Sequence, residues 1–368
     1  VLPFYPSSSD GGFSVTDHKN VNKDLGTWHD IRSLSNHASI MADLILNHSS
    51  IKGKWFNSFI KEKKDYKNFF FTIDDNFDFS KVIRPRDHKL IQIYNYKKKN
   101  NKLWCTFSHD QIDLNFKDPL VLIEFIEIVL LLLSKGVTTF RLDAVAFIWK
   151  KNGTSCVNLP ETHEIVKLLR LIVNFINPHA LIVTETNLPR KENLSYFGNN
   201  DEANWIYNFP LPPLILYTFL FEDSSKISGW SKSMPPAQIN NAYLNFIASH
   251  DGIGMRPAEG ILDNITLDKL FKRVKKNGGK FSFRKVESKN KVYEANITLF
   301  DALKRTDFDK DGIFAVERYI AAHSILLALE GVPAIYFNSL FGTSNDQNAF
   351  IKTGIKRNIN RFKLSLIH

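Results

Sequence analysis

The sequence predicts an α/β fold in which parallel strands alternate with helices around a barrel. Short runs of apolar and β-branched residues, typical of buried strands, recur along the chain, and helical stretches separate several of them. A length of 368 residues exceeds that of a typical single domain but suits one barrel with loop insertions. Four of the runs end in acidic residues or histidines, so polar side chains are predicted at the carboxyl edge of the sheet.

Seven strands and three long helices are predicted. The strands are residues 1–4, 40–47, 138–144, 180–185, 204–209, 242–249 and 333–337. The helices are residues 118–134, 161–176 and 316–329. A closed barrel of this kind needs eight strands, and the chain starts without a methionine, so we expect a fragment whose first strand would precede Val1.

Two insertions interrupt the alternation, and both leave the carboxyl side of a strand. The first is aromatic and loop-rich, and the second combines a basic helix at 267–276 with a short hairpin. The predicted organisation is a barrel part with strands two and three at 1–48, an inserted subdomain at 49–116, a barrel part at 117–252, a second inserted subdomain at 253–306 and the barrel end at 307–368. Both insertions would overhang the catalytic face, where substrate choice should reside.

Composition narrows the class of protein. Lys and Arg number 48 against 38 Asp and Glu, a net charge of +10, which we interpret chiefly as a solvated surface and secondarily as an attraction for small anions. Nucleic-acid binding is disfavoured because the lysines are scattered, and the one dense run, at 97–102, is predicted as a hairpin tip. The longest apolar run, at 121–133, contains two glutamates and is too short to cross a membrane.

The two cysteines, Cys105 and Cys156, have neither disulfide-framework nor metal-ligand spacing. A reducing, cytoplasmic location is the expectation, and no metal site is predicted.

Arg141 and Asp143 lie two residues apart in FRLD, so on a strand their side chains project to the same side. A guanidinium there would keep the carboxylate ionised and oriented, as a glycosidase nucleophile requires. The alternative is an ion pair that only closes the strand end.

Other polar residues follow strands in the same way. Glu185 ends LIVTE, where partial burial would raise its pKa and suit it to protonate a leaving oxygen, although a solvated strand end is the alternative. Asp251 would stabilise positive charge in a transition state and His250 would bind a sugar hydroxyl, unless the pair only caps a turn. His48 is a second candidate hydroxyl donor, with Asp43 as a buried structural partner.

These four segments, in this order, resemble the motif regions of glycoside hydrolase family 13, the α-amylase superfamily. They are ADLILNH at 42–48, FRLDAVAF at 140–147, LIVTETN at 181–187 and FIASHDG at 246–252. The resemblance implies an incomplete (β/α)8 TIM barrel without its first strand and without a C-terminal β domain. It also implies that Asp143 is the nucleophile, Glu185 the general acid/base and Asp251 the transition-state stabiliser of a retaining reaction, with the two reacting carboxyls about 5–5.5 Å apart.

Further segments resemble the sucrose phosphorylase branch of that family: LPFYP at 2–6, SDGGF at 9–13, RPR at 84–86, TFS at 106–108, DQIDL at 110–114, LPPL at 211–214 and KRNINR at 356–361. By this resemblance Asp10 and Arg357 bind the far hydroxyls of a glucose, and Phe13 and Phe147 form aromatic walls. The same carry-over assigns Arg86 to phosphate, and Tyr293 and Glu294 to the acceptor loop.

Within the branch, ETNLPRKEN at 185–193, SYFG at 195–198 and SHDGIG at 249–254 with Arg256 and Pro257 are most similar to glucosylglycerate phosphorylases. The expected activity is therefore transfer of glucose from a small α-glucoside, of the glucosylglycerate or sucrose type, to inorganic phosphate as co-substrate. Arg190 and Lys191 are candidate contacts for an anionic leaving group, or they face solvent.

Several alternatives stay open at this point. Glucosylglycerol and a phosphorylated fructoside remain possible substrates. An α-glucosidase or transglucosidase would use the same carboxylates, and an inactive sugar-binding barrel would use none of them. No organic cofactor, nucleic acid or membrane partner is expected, and the sequence does not predict the oligomeric state.

Overall fold

Parallel strands alternate with helices in the structure, as the sequence predicts. The structure is a computed structural model that describes residues 3–364 except 87, 97, 98, 287 and 288. The chain divides into two compact units, Val1–Thr186 with Leu194–Ile206 and Asn187–Asn193 with Tyr207–His368. The predicted division into barrel parts and inserted subdomains stays a prediction.

The first unit is built around parallel strands. Its elements are α1 Trp28–Ser35, β1 Ile40–Ile45, β2 His48–Ser50, α2 Lys54–Ile60, β3 Ile91–Tyr96, β4 Lys99–Trp104, β5 Gln111–Asp113, α3 Pro119–Ser134, β6 Val137–Asp143, α4 Pro160–Ile176, β7 Leu181–Thr184 and β8 Trp205–Tyr207. Strands β1, β6, β7 and β8 lie side by side in that order, all parallel. The β1–β6 register pairs Asp43 with Arg141, so the ends of these strands bring predicted site residues into one row.

Helix boundaries in this unit follow local chemistry. The Asp118 side chain accepts a hydrogen bond from the backbone N–H of Leu120 and caps α3, whose first residue is Pro119. Helix α4 also begins with a proline, Pro160. Both predicted helices, at 118–134 and 161–176, are confirmed within one residue because these signals act locally.

The predicted aromatic insertion contains two antiparallel strand pairs, β2 with β5 and β3 with β4. Trp104 is buried and packs edge-on against Phe71 and Phe77 in a small aromatic core. The predicted lysine-rich tip includes Lys97 and Lys98, which lie outside the described residues.

The second unit has its own core. Its elements are α5 Arg190–Leu194, α6 Leu211–Phe221, α7 Ser225–Ser233, β9 Ala242–Phe246, β10 Ile253–Gly254, α8 Asn264–Lys276, β11 Lys280–Val286, β12 Lys289–Asn296, α9 Leu299–Lys304, α10 Ala315–Ala328, β13 Val332–Ala334, α11 Phe337–Leu340 and α12 Gln347–Thr353. Strands β9 and β13 pair in parallel, and β10, β12 and β11 form an antiparallel sheet in that order. Apolar side chains of α6, α8, α9 and α10 pack together in one buried cluster.

Several predicted strands differ from the structure. Those predicted at 40–47, 204–209 and 242–249 end earlier, at Ile45, Tyr207 and Phe246. The strand predicted at 333–337 is only Val332–Ala334, and Phe337 already begins α11. Pro333 supplies no amide hydrogen to a strand ladder, which limits its length. At the start of the chain Pro3 and Phe4 are irregular, while Val1 and Leu2 lie outside the described residues.

Within the described part of the chain, no helix has both the length and the apolar character needed to span a bilayer.

Candidate active site

Arg141 holds two carboxylates at the end of β6 and β1 in the first unit. Its Nη1 lies 2.8 Å from Asp143 Oδ1 and 2.5 Å from Asp43 Oδ1. All three residues are buried. The two ion pairs confirm that Arg141 and Asp143 project to one side and that Asp43 is a buried structural partner. Burial raises the pKa of Asp43, while the guanidinium of Arg141 opposes that shift. The arrangement orients the Asp143 carboxylate rigidly.

Glu185 lies directly beyond β7, next to the end of β6. Its backbone N–H donates to Leu142 O at 3.1 Å, and its Oε2 accepts a hydrogen bond of 3.0 Å from the backbone N–H of Ala144. Ala144 has a φ of 48°, a left-handed conformation that costs energy for a residue with a Cβ. The strained turn after Asp143 therefore fixes the second carboxyl beside the first.

His48 is buried between the loop that carries Phe13 and strand β5, which carries Gln111. Its Nε2 lies 3.1 Å from Phe13 O and 3.0 Å from Gln111 Nε2. Gln111 Nε2 in turn donates to Asp10 Oδ2 at 3.2 Å. Burial lowers the pKa of His48, against the charges of Asp143, Asp113 and Asp10. Asp10 and Phe13, predicted from one segment, are thus brought together with His48, predicted from another.

Aromatic rings line the same region of the first unit. Phe107 contacts the His48 ring at 5.3 Å and the Phe147 ring edge-on at 5.4 Å. The Phe13 ring lies 5.7 Å from the guanidinium carbon of Arg141, a cation–π contact. Phe13 thus lies against Arg141, and Phe147 contacts the ring that packs on His48, while their role as aromatic walls of a glucose pocket stays a prediction.

Asp110 anchors the loop that carries Asp10. Its Oδ2 accepts hydrogen bonds of 2.5 Å from the hydroxyls of Ser8 and Ser9, and its Oδ1 accepts one of 2.9 Å from Ser50. Asp10 itself has a φ of 53°. We infer that these three hydroxyl bonds hold the loop in its strained form.

A second carboxylate of the DQID segment lies deeper. Asp113 pairs with the ammonium of Lys150 at 2.6 Å, and Lys150 also donates to Asn47 Oδ1 at 2.8 Å. Asn47 directly precedes His48, so this buried pair supports one wall of the cluster. Burial lowers the pKa of Lys150, and the charge of Asp113 opposes that shift.

The second unit holds the remaining predicted residues around Arg357. Its Nη1 lies 2.5 Å from Asp251 Oδ1, and its Nε and Nη2 lie 3.0 and 2.9 Å from the two oxygens of Glu294. Arg361 also approaches Asp251, at 3.5 Å, and donates to the carbonyl oxygen of His250 at 2.7 Å. Glu294, predicted in the acceptor loop, instead lies on strand β12, where it is 2% exposed and binds Arg357 through both carboxylate oxygens. Asp251 is thus paired with two cations.

Three other predicted site residues are His250, Tyr293 and Arg86. The His250 ring lies 3.7 Å from Asp251 Oδ1. The hydroxyl of Tyr293 accepts a hydrogen bond of 3.4 Å from Asn187 Nδ2. Arg86 lies in the irregular segment before β3, where its charge adds to burial in lowering the pKa of His88.

Sequence reasoning assigned no role to Gln111, Asp110, Lys150 or Arg361. The DQID segment belongs to a motif that the sequence already indicates. It lies on β5, opposite β2, and just before β5, which explains why it contacts both His48 and the loop with Ser8 and Ser9. Among the described residues no group of three or more His, Cys, Asp or Glu side chains is placed to hold a metal ion.

Comparison with known proteins identifies the family. The model of the alpha amylase catalytic domain matches residues 1–252. The glucosylglycerate phosphorylase of Allomeiothermus silvanus is 44% identical over 366 residues, which cover 99% of this chain and 66% of that protein. The sucrose phosphorylase of Agrobacterium vitis is 30% identical over 389 residues, which cover 98% of this chain and 75% of that protein. The chain spans between 62% and 66% of the length of three glucosylglycerate phosphorylases.

The fold agrees with that of a solved relative. The crystal structure of sucrose 6F-phosphate phosphorylase from Thermoanaerobacter thermosaccharolyticum superposes with a TM-score of 0.88 at 26% identity, covering 100% of this chain and 74% of that one. The parallel strands of both units therefore belong to an alpha-amylase fold. The resemblance drawn from the motifs is confirmed: the chain belongs to the alpha-amylase family, glycoside hydrolase family 13, in the branch of the sucrose and glucosylglycerate phosphorylases.

Proposed function

We propose that the whole protein is a retaining α-glucoside phosphorylase, a glycosyltransferase that moves glucose from a small α-glucoside to inorganic phosphate. The observation that carries the proposal is the pair of carboxyls at adjacent strand ends, with Asp143 held by Arg141 and Glu185 held by the N–H of Ala144. Retaining enzymes of this kind need one carboxylate to attack and one acid to protonate the leaving group, close together. The first unit supplies both.

In the proposed reaction, Asp143 attacks the anomeric carbon while the bond to the leaving oxygen breaks and Glu185 gives that oxygen its proton. A covalent glucosyl ester of Asp143 results. An oxygen of phosphate then displaces Asp143, Glu185 takes up the proton of the attacking group, and glucose 1-phosphate leaves. Two displacements at one carbon retain its configuration.

Asp251 is proposed as the carboxylate that stabilises positive charge on the sugar in the transition state. The assignment rests on its motif and on its two arginine partners, which keep it ionised and oriented.

The other assignments remain proposals of the same kind. Glucose is bound by residues from strands and loops: Asp10, Phe13, His48, Arg141, Phe147, His250 and Arg357. Phosphate or the acceptor is bound by Arg86, Tyr293 and Glu294. Phosphate, rather than water, must meet the glucosyl ester, and Arg86 supplies a cation for it.

We propose glucosylglycerate as the donor, because relatives with that name share 40–44% identity with this chain, against 30% for a sucrose phosphorylase. A hydrolysing α-glucosidase is the second candidate, since it would use the same carboxylates.

Several coarser expectations are kept as proposals for the whole protein. An eight-stranded barrel is proposed for its sheet, phosphate is proposed as a co-substrate without an organic cofactor, and neither nucleic acid nor membrane is proposed as a partner. Cys105 and Cys156 are both free thiols, in keeping with the proposed cytoplasmic location.

The test is to incubate the whole protein with phosphate and a panel of α-glucosides, including glucosylglycerate and sucrose, and to assay glucose 1-phosphate and free glucose. We expect phosphate-dependent glucose 1-phosphate, and loss of at least about 1,000-fold in rate for Asp143→Asn, since the covalent step is removed. Asp75→Asn, at an exposed ion pair, is the matched control. Free glucose formed without phosphate would instead establish the hydrolase, and undiminished activity of Asp143→Asn would refute the nucleophile.

A further inference from the structure

Four polar side chains in the second unit form a cluster around Arg256 that has unused hydrogen-bonding capacity. The cluster comprises Arg256, Arg284, Tyr293 and Asn187. We propose that this cluster binds the carboxylate of an anionic leaving group, with Arg256 as the residue that determines specificity for it. The inference rests on the proposed phosphorylase function and names the class of its donor: a glucoside of a small hydroxy acid.

Arg256 begins a short turn directly after β10. The backbone N–H of the preceding residue, Met255, donates to Tyr293 O at 2.9 Å, and Gly254 pairs with Glu294 of β12. The turn is therefore fixed to the strand that carries Tyr293. No hydrogen bond or ion pair joins the guanidinium of Arg256 to any residue in the described part of the chain. The residue is half-buried, so its charge is partly removed from water without an anion at hydrogen-bonding distance to compensate it.

Arg284 lies within electrostatic reach of Arg256 and is only partly used. Its Nη2 binds both oxygens of Glu259, at 2.8 and 3.0 Å, but its Nε is buried without a partner. Burial, followed by the like charge of Arg284, lowers the pKa of Arg256, while the more weakly acting groups Tyr293, Glu192 and Glu259 oppose the shift. The charge of a bound anion would offset both the desolvation of Arg256 and its repulsion by Arg284.

Neutral groups complete the cluster. Asn187 Nδ2 donates to the Tyr293 hydroxyl at 3.4 Å, and its Oδ1 is buried without a partner. Asn187 also lies against Gly254, where a Cβ would come within 3.0 Å of its Nδ2. An unpaired amide oxygen and a guanidinium in the same cluster suit a ligand that presents both hydroxyl donors and a carboxylate.

The sequence connects the cluster with the leaving group. Asn187 follows Glu185, the proposed acid that protonates the leaving group, by two residues. The planar fork of a single guanidinium matches a carboxylate with two parallel hydrogen bonds. Inorganic phosphate is the other anion in the reaction, so the experiment must separate the two.

The experiment runs the reaction in reverse, with glucose 1-phosphate and either glycerate or glycerol as acceptor. In Arg256→Gln we expect the KM for glycerate to rise about 10- to 100-fold, the loss typical of a hydrogen-bonded charge. The reaction with glycerol, which lacks the carboxylate, and the KM for glucose 1-phosphate should be unchanged. Arg256→Lys should recover part of the glycerate affinity, and Arg305→Gln, at an exposed arginine of the same unit, is the matched control.

Two further measurements make every outcome decisive. With α-glucosyl fluoride as donor, the KM for phosphate should be the same in wild type and Arg256→Gln, and a selective rise would assign the cluster to phosphate instead. Calorimetric titration with glycerate alone needs no turnover: weaker binding in folded Arg256→Gln supports the inference, and equal or absent binding in both proteins overturns it. Glycerate binding without any glucose 1-phosphate formation would refute the phosphorylase but not the carboxylate site.

Discussion

The buried ion pair between Lys150 and Asp113 gives a stability prediction whose size follows from its surroundings. The two side chains are 1% and 0% exposed, and 2.6 Å separates Nζ from Oδ2. In Lys150→Met the carboxylate of Asp113 keeps its hydrogen bonds from Thr106 and Asn47 but loses the ammonium that pairs with it. Leaving a buried charge without its partner costs about 3–5 kcal/mol.

That cost translates into a large change in melting temperature. For a domain of roughly 150–250 residues, each kcal/mol lowers the melting temperature by about 2–4 °C, so Lys150→Met should melt about 6–20 °C below the parent. Differential scanning calorimetry or circular dichroism would measure it. The double variant Lys150→Met with Asp113→Asn should recover much of the loss, since the unpaired charge is then removed.

The neighbouring lysine is the matched control. Lys151 pairs with Glu161 at 2.9 Å, but the two side chains are 58% and 31% exposed. Solvent screens such pairs, so Lys151→Met should cost only about 0–1 kcal/mol. A Lys150→Met variant that melts no lower than Lys151→Met would refute the reasoning from burial.

Three other predictions follow from the first unit. Burial lowers the pKa of His18 to about 3, against 6.5 when unfolded, so the free energy of unfolding should fall as the pH drops from 6.5 towards 3. Urea unfolding of His18→Phe should lack this one-proton slope of about 1.4 kcal/mol per pH unit. A slope equal to that of the parent contradicts the prediction. In Asp110→Ala the loop that carries Asp10 loses its hydrogen bonds to the Asp110 carboxylate, so kcat/KM for the glucosyl donor should drop about 10–100-fold. The melting temperature should stay within a few degrees of the parent. Unaltered kinetics would exclude a role of Asp110 in positioning that loop. Gly12 has a φ of +114°, and a Cβ added there would lie 2.9 Å from Pro3 O. Gly12→Ala should therefore lower the free energy of unfolding, measured by thermal unfolding, by about 1–3 kcal/mol. An unchanged stability would show that the loop readily adjusts.

Local patterns predicted the elements that depend on neighbouring residues. The predicted bounds of α3 and α4 agree with the structure within one residue, and Pro119, Pro160 and the Asp118 cap set the helix starts there within one turn. The alternation of a strand placed Arg141 and Asp143 on one side. The end of the strand predicted at 333–337 was wrong, since a run of apolar residues does not distinguish a strand from the start of α11.

By itself, then, the sequence determined the parallel α/β class, the strand ends that carry Asp143 and Glu185, and the family, since each depends on short contiguous segments. Only the tertiary structure decided that Gln111 joins Asp10 to His48, 101 and 63 residues away in the chain. It likewise decided that Arg357 is held between Asp251 and Glu294. These contacts join segments separated by loops of variable length, and neither periodicity nor capping constrains which distant side chains such loops bring together.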